Sequence, residues 1–170
     1  MDPTDQRDGK RRREQISKST TYLAFGMGLL SLLVTAVLYS RLPETIAVHW
    51  NIRGEVDSYG PRRLAWLLGS LPLVIATLMH VLPALDPRRH NYARSVRAYN
   101  VTIVAIVAVM TAVHFVVLAN AVGVAVQVGM IVKLVIGLLF VVIGNVLGTV
   151  RSTFFFGIKT PWTLSNDEVW

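Results

Sequence analysis

The sequence predicts an all-α fold: a polytopic bundle of about four transmembrane helices carrying an ordered outer loop. Three observations predict it. The 170 residues are 53% hydrophobic and only 16% charged, too few charges for the surface of a soluble domain. Between Val101 and Val150 the single formal charge is Lys133. Four runs, near 21–40, 64–83, 100–122 and 127–150, each reach the roughly 20 apolar residues needed to cross a hydrocarbon core of about 30 Å.

Basic residues orient these spans. Arg7, Lys10, Arg11, Arg12, Arg13 and Lys18 precede the first span, and Arg41, Arg53, Arg62 and Arg63 fall in the first loop. Arg88, Arg89, Arg94 and Arg97 fall in the second loop, and Arg151 and Lys159 follow the fourth span. With the N-terminus in the cytoplasm, twelve of these lie inside and four outside. The positive-inside bias therefore favours a cell-membrane protein with both ends cytoplasmic. The first apolar run is longer than a signal-peptide core of about 7–15 residues, and no A-x-A-like site follows it. The net charge of +7 is accounted for by the inner membrane face and its anionic lipid, without direct nucleic-acid binding. The absence of cysteine excludes disulfides, thiol nucleophiles and thiolate metal sites.

Taken in order, residues 1–19 form a polar, basic cytoplasmic tail. In the outer loop, 41–63, Pro43 fixes an extended start, and Ile46, Val48 and Trp50 alternate with Ala47 and His49 as a strand does. Asn51, Gly54 and Gly60 supply turns. This composition predicts a compact cap on the outer ends of the helices. In the second span Pro72 predicts a kink, with Gly69, Ser70 and Thr77 close-packed or internally hydrogen-bonded. Asp86-Pro87 reads as an N-cap followed by proline at the first helical position. It opens a basic inner helix over 86–99 that runs into the third span. His90, Arg94 and Arg97 share one face of it, and Tyr92, Val96 and Tyr99 another, with bases toward phosphates and rings toward the acyl boundary.

The third and fourth spans form a hairpin about a centre near 123–124, where Asn120 mirrors Gln127 and His114 mirrors Lys133. In the fourth span Lys133, Gly137, Gly144 and Gly148 fall on one stripe. Small residues so spaced admit a close helix, so Lys133 is expected to point into the bundle. A lysine at mid-depth costs about 3 kcal/mol. It forms either a polar intramembrane site with His114 and Asn145 or a snorkelling contact to the outer headgroups. His49, Glu55 and Asp57 lack the repeated spacing of a metal site. Their expected role is to hold the loop by hydrogen bonds, with Trp50 buried against the membrane surface or serving as a peptide anchor. Nothing has the spacing of a catalytic set, and no cofactor is implied.

At the C-terminus, Ser165 and Glu168 have capping-box spacing, Leu164 and Val169 the spacing of a hydrophobic staple, and Asp167 and Glu168 suit the start of a helix dipole. Five residues beyond a cap do not hold a helix in water. The segment therefore docks on something or continues in a longer chain. Thr160-Pro161-Trp162-Thr163 reads as an interfacial bend or a recognition turn, and Trp162 with Phe154-Phe155-Phe156 suits the interface belt.

Two stretches carry a family resemblance. Asn145 and the run Phe155-Phe156-Gly157-Ile158-Lys159-Thr160-Pro161-Trp162-Thr163-Leu164-Ser165-Asn166-Asp167-Glu168-Val169-Trp170 resemble the signature block of the SdpI family of bacterial membrane proteins. Leu42-Pro43, His49-Trp50-Asn51, Gly54, Asp57 and Gly60 resemble the DUF1648 segment that precedes it in many members. The resemblance covers about residues 20–170, divided as a DUF1648-like region over 20–100 and an SdpI-like region over 101–170. Lys159 stands where arginine is commoner. The family resumes beyond Trp170 with further helices, so the chain reads as incomplete. The resemblance implies a non-enzymatic immunity protein that protects the cell against a secreted toxin peptide, linked in some members to a cytoplasmic repressor. The toxin would meet the outer loop at His49, Trp50, Asn51, Gly54 and Asp57. The repressor would meet Arg88, Arg89, Arg94 and Arg97. The implied C-terminal motif residues are Gly157, Thr160, Pro161, Trp162 and Trp170. The alternative is a small ion or solute transporter using Lys133 and His114.

Overall fold

In the computed structural model of the protein, residues 16–165 are described. Among them, four helices are long and apolar enough to cross a membrane. They are α1 (Lys18–Leu38), α2 (Leu64–Leu85), α3 (Tyr92–Ala121) and α4 (Val128–Leu147). A two-stranded antiparallel hairpin, β1 (Thr45–Trp50) and β2 (Val56–Pro61), joins α1 to α2. A short helix, α5 (Pro161–Ser165), closes the described chain. The protein is a multi-pass helical membrane protein with an ordered loop between its first two spans.

Small residues set the helix packing. Ser17 caps α1 by accepting from the Thr20 N–H at 3.1 Å. Ala24, Gly28, Ser31 and Thr35 form the helix's buried stripe. A Cβ on Gly28 would stand 2.9 Å from the Leu73 Cα, so glycine there is what lets α1 reach α2. Helix α2 continues through Pro72, which is buried, while Ser70 and Thr77 donate to the carbonyls of Leu67 and Leu73 at 2.7 and 2.8 Å. These two hydroxyls are satisfied within their own helix, as a hydrocarbon environment demands.

Three expectations change. First, Asp86 opens no helix: it ends α2 in an extended conformation, a 3₁₀ turn follows at Arg89–Asn91, and α3 starts only at Tyr92. Tyr92 and Tyr99 face inward, 5% and 2% exposed, and stack edge-on at 4.9 Å, with Phe156 edge-on to Tyr99 at 5.1 Å. The rings close a core with Ile103 and Val107 rather than meeting acyl chains. Second, the glycine stripe of α4 has no neighbour within the described residues. A Cβ at Gly137, Gly144 or Gly148 would meet nothing within 4 Å, and Val128 is the only buried residue of the helix. Helix α4 packs on α3 by another face, and Lys133 is exposed.

The third change concerns the C-terminal cap. Thr160 caps the last helix among the described residues: its hydroxyl accepts from the Thr163 N–H at 3.3 Å, and the Thr163 hydroxyl accepts from the Thr160 N–H at 2.8 Å. Pro161 then takes the first helical position, where its missing N–H is no loss. Ser165 lies within that turn and donates to the Trp162 carbonyl at 3.2 Å. The rest of the expected capping box and staple (Asp167, Glu168, Val169), Trp170 and the basic tail through Arg13 lie outside the described residues.

Candidate functional site

The loop sits on the ends of the helices, as the expected cap would, but it is a hairpin whose second strand the sequence does not suggest. Leu42 and Ile46, 4% and 1% exposed, pack with Ala65 and Leu118 where α2 begins and α3 ends, which fastens the base of β1 to the bundle. Asn51 forms the turn: its side-chain oxygen accepts from the Arg53 and Glu55 N–H groups at 2.9 and 3.1 Å, and its amide donates to Glu55 at 2.9 Å. Gly54 has φ 87°, a conformation that favours glycine. Gly60, expected to be a turn, is instead a strand residue opposite Ile46, buried where a Cβ would strike Leu64 and Val48. His49 Nδ1 and Asp57 Oδ1 meet at 2.5 Å across the hairpin, an exposed contact that holds its two strands together. Among the described residues no cluster of metal-ligating groups forms around them.

The tip of the hairpin rests on the first turn of α4. A Cβ on Gly129 would lie 2.4 Å from the Gly54 Cα, so the contact exists only because both residues are glycine. One turn along, the Lys133 ammonium donates to the Ile52 carbonyl at 2.7 Å. The lysine thus snorkels as its position suggests, but to a backbone carbonyl of the hairpin instead of a headgroup. It does not meet His114. Between hairpin and helix lies a groove of about 540 Å³, lined by Trp50, Arg53, Asn120, Gln127, Met130 and Lys133 among others. Of the five outer-loop residues the sequence singles out, Trp50 and Gly54 line this groove. His49 and Asp57 stand apart from it on the hairpin. Asn120 and Gln127, which mirror each other about the α3–α4 turn, both reach it.

His114 is 3% exposed and sits between α1 and α2. Its Nε2 lies 2.8 Å from the Thr35 hydroxyl, which in turn donates to the Ser31 carbonyl at 2.9 Å. Gly69 leaves room for this pair, since a Cβ there would come within 2.7 Å of the Thr35 oxygen. The chain of donors makes Nε2 the protonated nitrogen and leaves Nδ1 an acceptor. Among the described residues neither that nitrogen nor the Ser31 hydroxyl has a partner. Asn145 is exposed and donates to the Val141 carbonyl of its own helix at 3.2 Å. His114, Lys133 and Asn145 therefore occupy three separate places. Thr35→Val is expected to destabilise the detergent-solubilised protein by about 1–3 kcal/mol, the cost of leaving a buried donor unmatched. Thermal unfolding checks it.

At the opposite end of the bundle the structure reveals a site absent from the sequence reading. The Asp86 carboxylate, 2% exposed, accepts from the N–H groups of Arg88 (2.7 Å), Phe154 (2.8 Å) and Phe155 (3.1 Å) and from the Tyr92 hydroxyl (3.0 Å). Burial pushes its pKa up, but the three backbone donors and Tyr92 more than offset this and hold the carboxyl below its ordinary value. Around it Arg88 bonds the Ser152 hydroxyl, and Asn91 donates to the Ser152 carbonyl at 2.6 Å. The Arg151 N–H reaches Ser95 at 2.8 Å. The segment after α4 is thereby tied down at its start. Beyond it, Gly157 turns the chain at φ 124° and Lys159 lies over the Phe154 and Phe155 rings. Thr160 and Pro161 begin α5, and Trp162 is exposed. Arg89, Arg94 and Arg97 are exposed on the same end, and Arg88 is half-buried.

Sequence comparison finds a match over the segment that contains the hairpin. DUF1648, a domain of unknown function, matches residues 26–77, from α1 through the hairpin into α2. The chain is also 21% identical over 141 residues to Immunity protein SdpI of Bacillus subtilis (strain 168), covering 83% of this chain. The chain is thus similar in sequence to an SdpI immunity protein and carries a DUF1648 match. It spans 66% of that SdpI relative's length. No solved structure matches it.

Proposed function

We propose that this SdpI-like chain is an immunity-type membrane protein whose hairpin faces the outside and meets a secreted toxin peptide. The observation that carries the proposal is the seating of the hairpin on α4, which turns an outer loop into a shaped groove with a half-buried tryptophan. The charge bias puts this end outside and the Asp86 end in the cytoplasm. The name of the SdpI relative supplies the function class, and the groove supplies a place for it.

The test is survival of a toxin-sensitive bacterial strain expressing this chain or its Trp50→Ala/Asp57→Ala version, challenged with spent medium from the producing organism. Membrane potential is read by dye. Protection by the parent chain that the double variant loses supports recognition at the hairpin. Equal depolarisation with and without well-expressed parent chain overturns it. On the cytoplasmic side, exposed Arg89, Arg94 and Arg97 form the surface we assign to a partner of the repressor kind. Transport through the bundle gains no support from the geometry, because its two named residues serve different contacts. Since Lys133 supports the hairpin, its removal harms both readings; His114→Leu separates them, leaving protection intact under immunity and abolishing activity under transport.

A further inference from the structure

The groove under the hairpin carries a charge imbalance that says what it would take. Arg53 and Lys133 both line it, and the residues lining it include no carboxylate. The nearby acids are engaged elsewhere, Glu55 with Asn51 and Asp57 with His49. The Lys133 ammonium has three donors and gives one to Ile52, and the Arg53 guanidinium has five. The first turn of α4 forms one wall. It has no side-chain cap and no acidic residue, so its positive dipole end is uncompensated. Beside these donors stand the Trp50 ring, Met130 and two side-chain amides, Asn120 and Gln127.

We propose that this groove binds a peptide through a carboxylate, held by Arg53 and Lys133, with an apolar side chain against Trp50 and Met130. Arg53 offers the planar fork that matches a carboxylate in two parallel hydrogen bonds, and Lys133 a point charge in the same groove. The amides of Asn120 and Gln127 can each pair with both a backbone N–H and a carbonyl, which a peptide has and a lipid phosphate lacks. That favours a peptide over an anionic headgroup at this depth. A carboxylate also completes Lys133, which otherwise holds a full charge near the membrane on a single carbonyl. The inference rests on the immunity reading for its biological sense, and on the groove alone for its chemistry.

The experiment uses the full chain in nanodiscs of zwitterionic lipid. The probes are fluorescently labelled apolar tetrapeptides in three forms: free C-terminal acid, C-terminal amide, and amide with an internal aspartate. The expected result is that the acid binds at least tenfold more tightly than the amide. Arg53→Gln and Lys133→Met should each remove that preference, while Lys133→Arg keeps it. If the aspartate form shares the preference, the carboxylate is read wherever it sits on the chain. If it binds like the plain amide, the chain terminus is read. Equal binding of acid and amide to the parent chain overturns the proposal. So does a preference that survives Arg53→Gln and Lys133→Met. Displacement of every peptide form alike by added phosphatidylglycerol, with no acid preference, assigns the groove to a lipid phosphate instead. The survival assay separates the two readings. Acid preference without cell protection sinks the immunity function and leaves the carboxylate site; protection without acid preference does the reverse.

Discussion

Asp86→Ala is expected to release the segment after α4 from the end of the bundle and to lower stability by about 1–3 kcal/mol for each buried donor left unpaired. The carboxylate is nearly fully buried and is the common acceptor of four donors, two of them the Phe154 and Phe155 N–H groups, 68 and 69 residues away in the chain. Removing it leaves those N–H groups without a partner in a site that water reaches poorly. Thermal unfolding in detergent measures the loss. Proteolysis near Phe154 should become faster in the variant while α1 to α4 stay protected. Asp86→Asn keeps an acceptor and should cost less. The pH dependence has a fixed sign. The folded pKa lies below the ordinary value of 3.8, so the stabilisation is fully present above about pH 4. It is lost as the pH falls through the lowered value. Denaturation curves that stay flat between pH 7 and 4.5 and then weaken in the parent chain but not in Asp86→Ala fit this account.

Gly129→Ala is the second variant with a large expected effect. The new Cβ would stand 2.4 Å from the Gly54 Cα, and a backbone atom cannot swing aside as a side-chain tip does. The hairpin must lift from α4, at a cost of about 1–3 kcal/mol. Lifting it also pulls Ile52 from Lys133 and opens the groove. Protection in the survival assay should fall at least tenfold although the four helices still insert. Gly137→Ala is the matched control: the same substitution on the same helix meets nothing within 4 Å and should leave protection unchanged.

These two sites also mark what the sequence could and could not disclose. The four spans were legible because length and apolarity are local properties that a lipid environment enforces directly. Strand β1 was legible because Ile46, Val48 and Trp50 alternate. Strand β2 was not: Asp57, Ser58, Tyr59, Gly60 and Pro61 carry a weak strand pattern, and the segment is extended because β1 pairs with it. Asp86-Pro87 is a sound local signal for a helix start; the carboxylate does take the local Arg88 N–H, but its other oxygen serves the distant Phe154 and Phe155 N–H groups and Tyr92, and only a 3₁₀ turn follows. Thr160 reads as part of a bend because Thr160-x-x-Thr163 lacks the Glu or Gln of a capping box, and only the hydroxyl geometry of the two threonines shows the cap on α5. The glycine stripe on α4 suggested a close neighbour, and the glycine that makes one is Gly129, one turn before Lys133. Its partner Gly54 is 75 positions earlier in the chain. No local pattern joins two residues so far apart.

The seating of the hairpin on α4 is the claim on which the functional proposal stands, and one distance tests it. The chain has no cysteine, so spin labels placed at Ser58→Cys and Leu134→Cys, both exposed positions, attach nowhere else. Pulsed electron paramagnetic resonance on the labelled chain in lipid nanodiscs should give one narrow distance distribution, which Gly129→Ala shifts or broadens. A broad distribution in the parent chain, or one that Gly129→Ala leaves untouched, would contradict it.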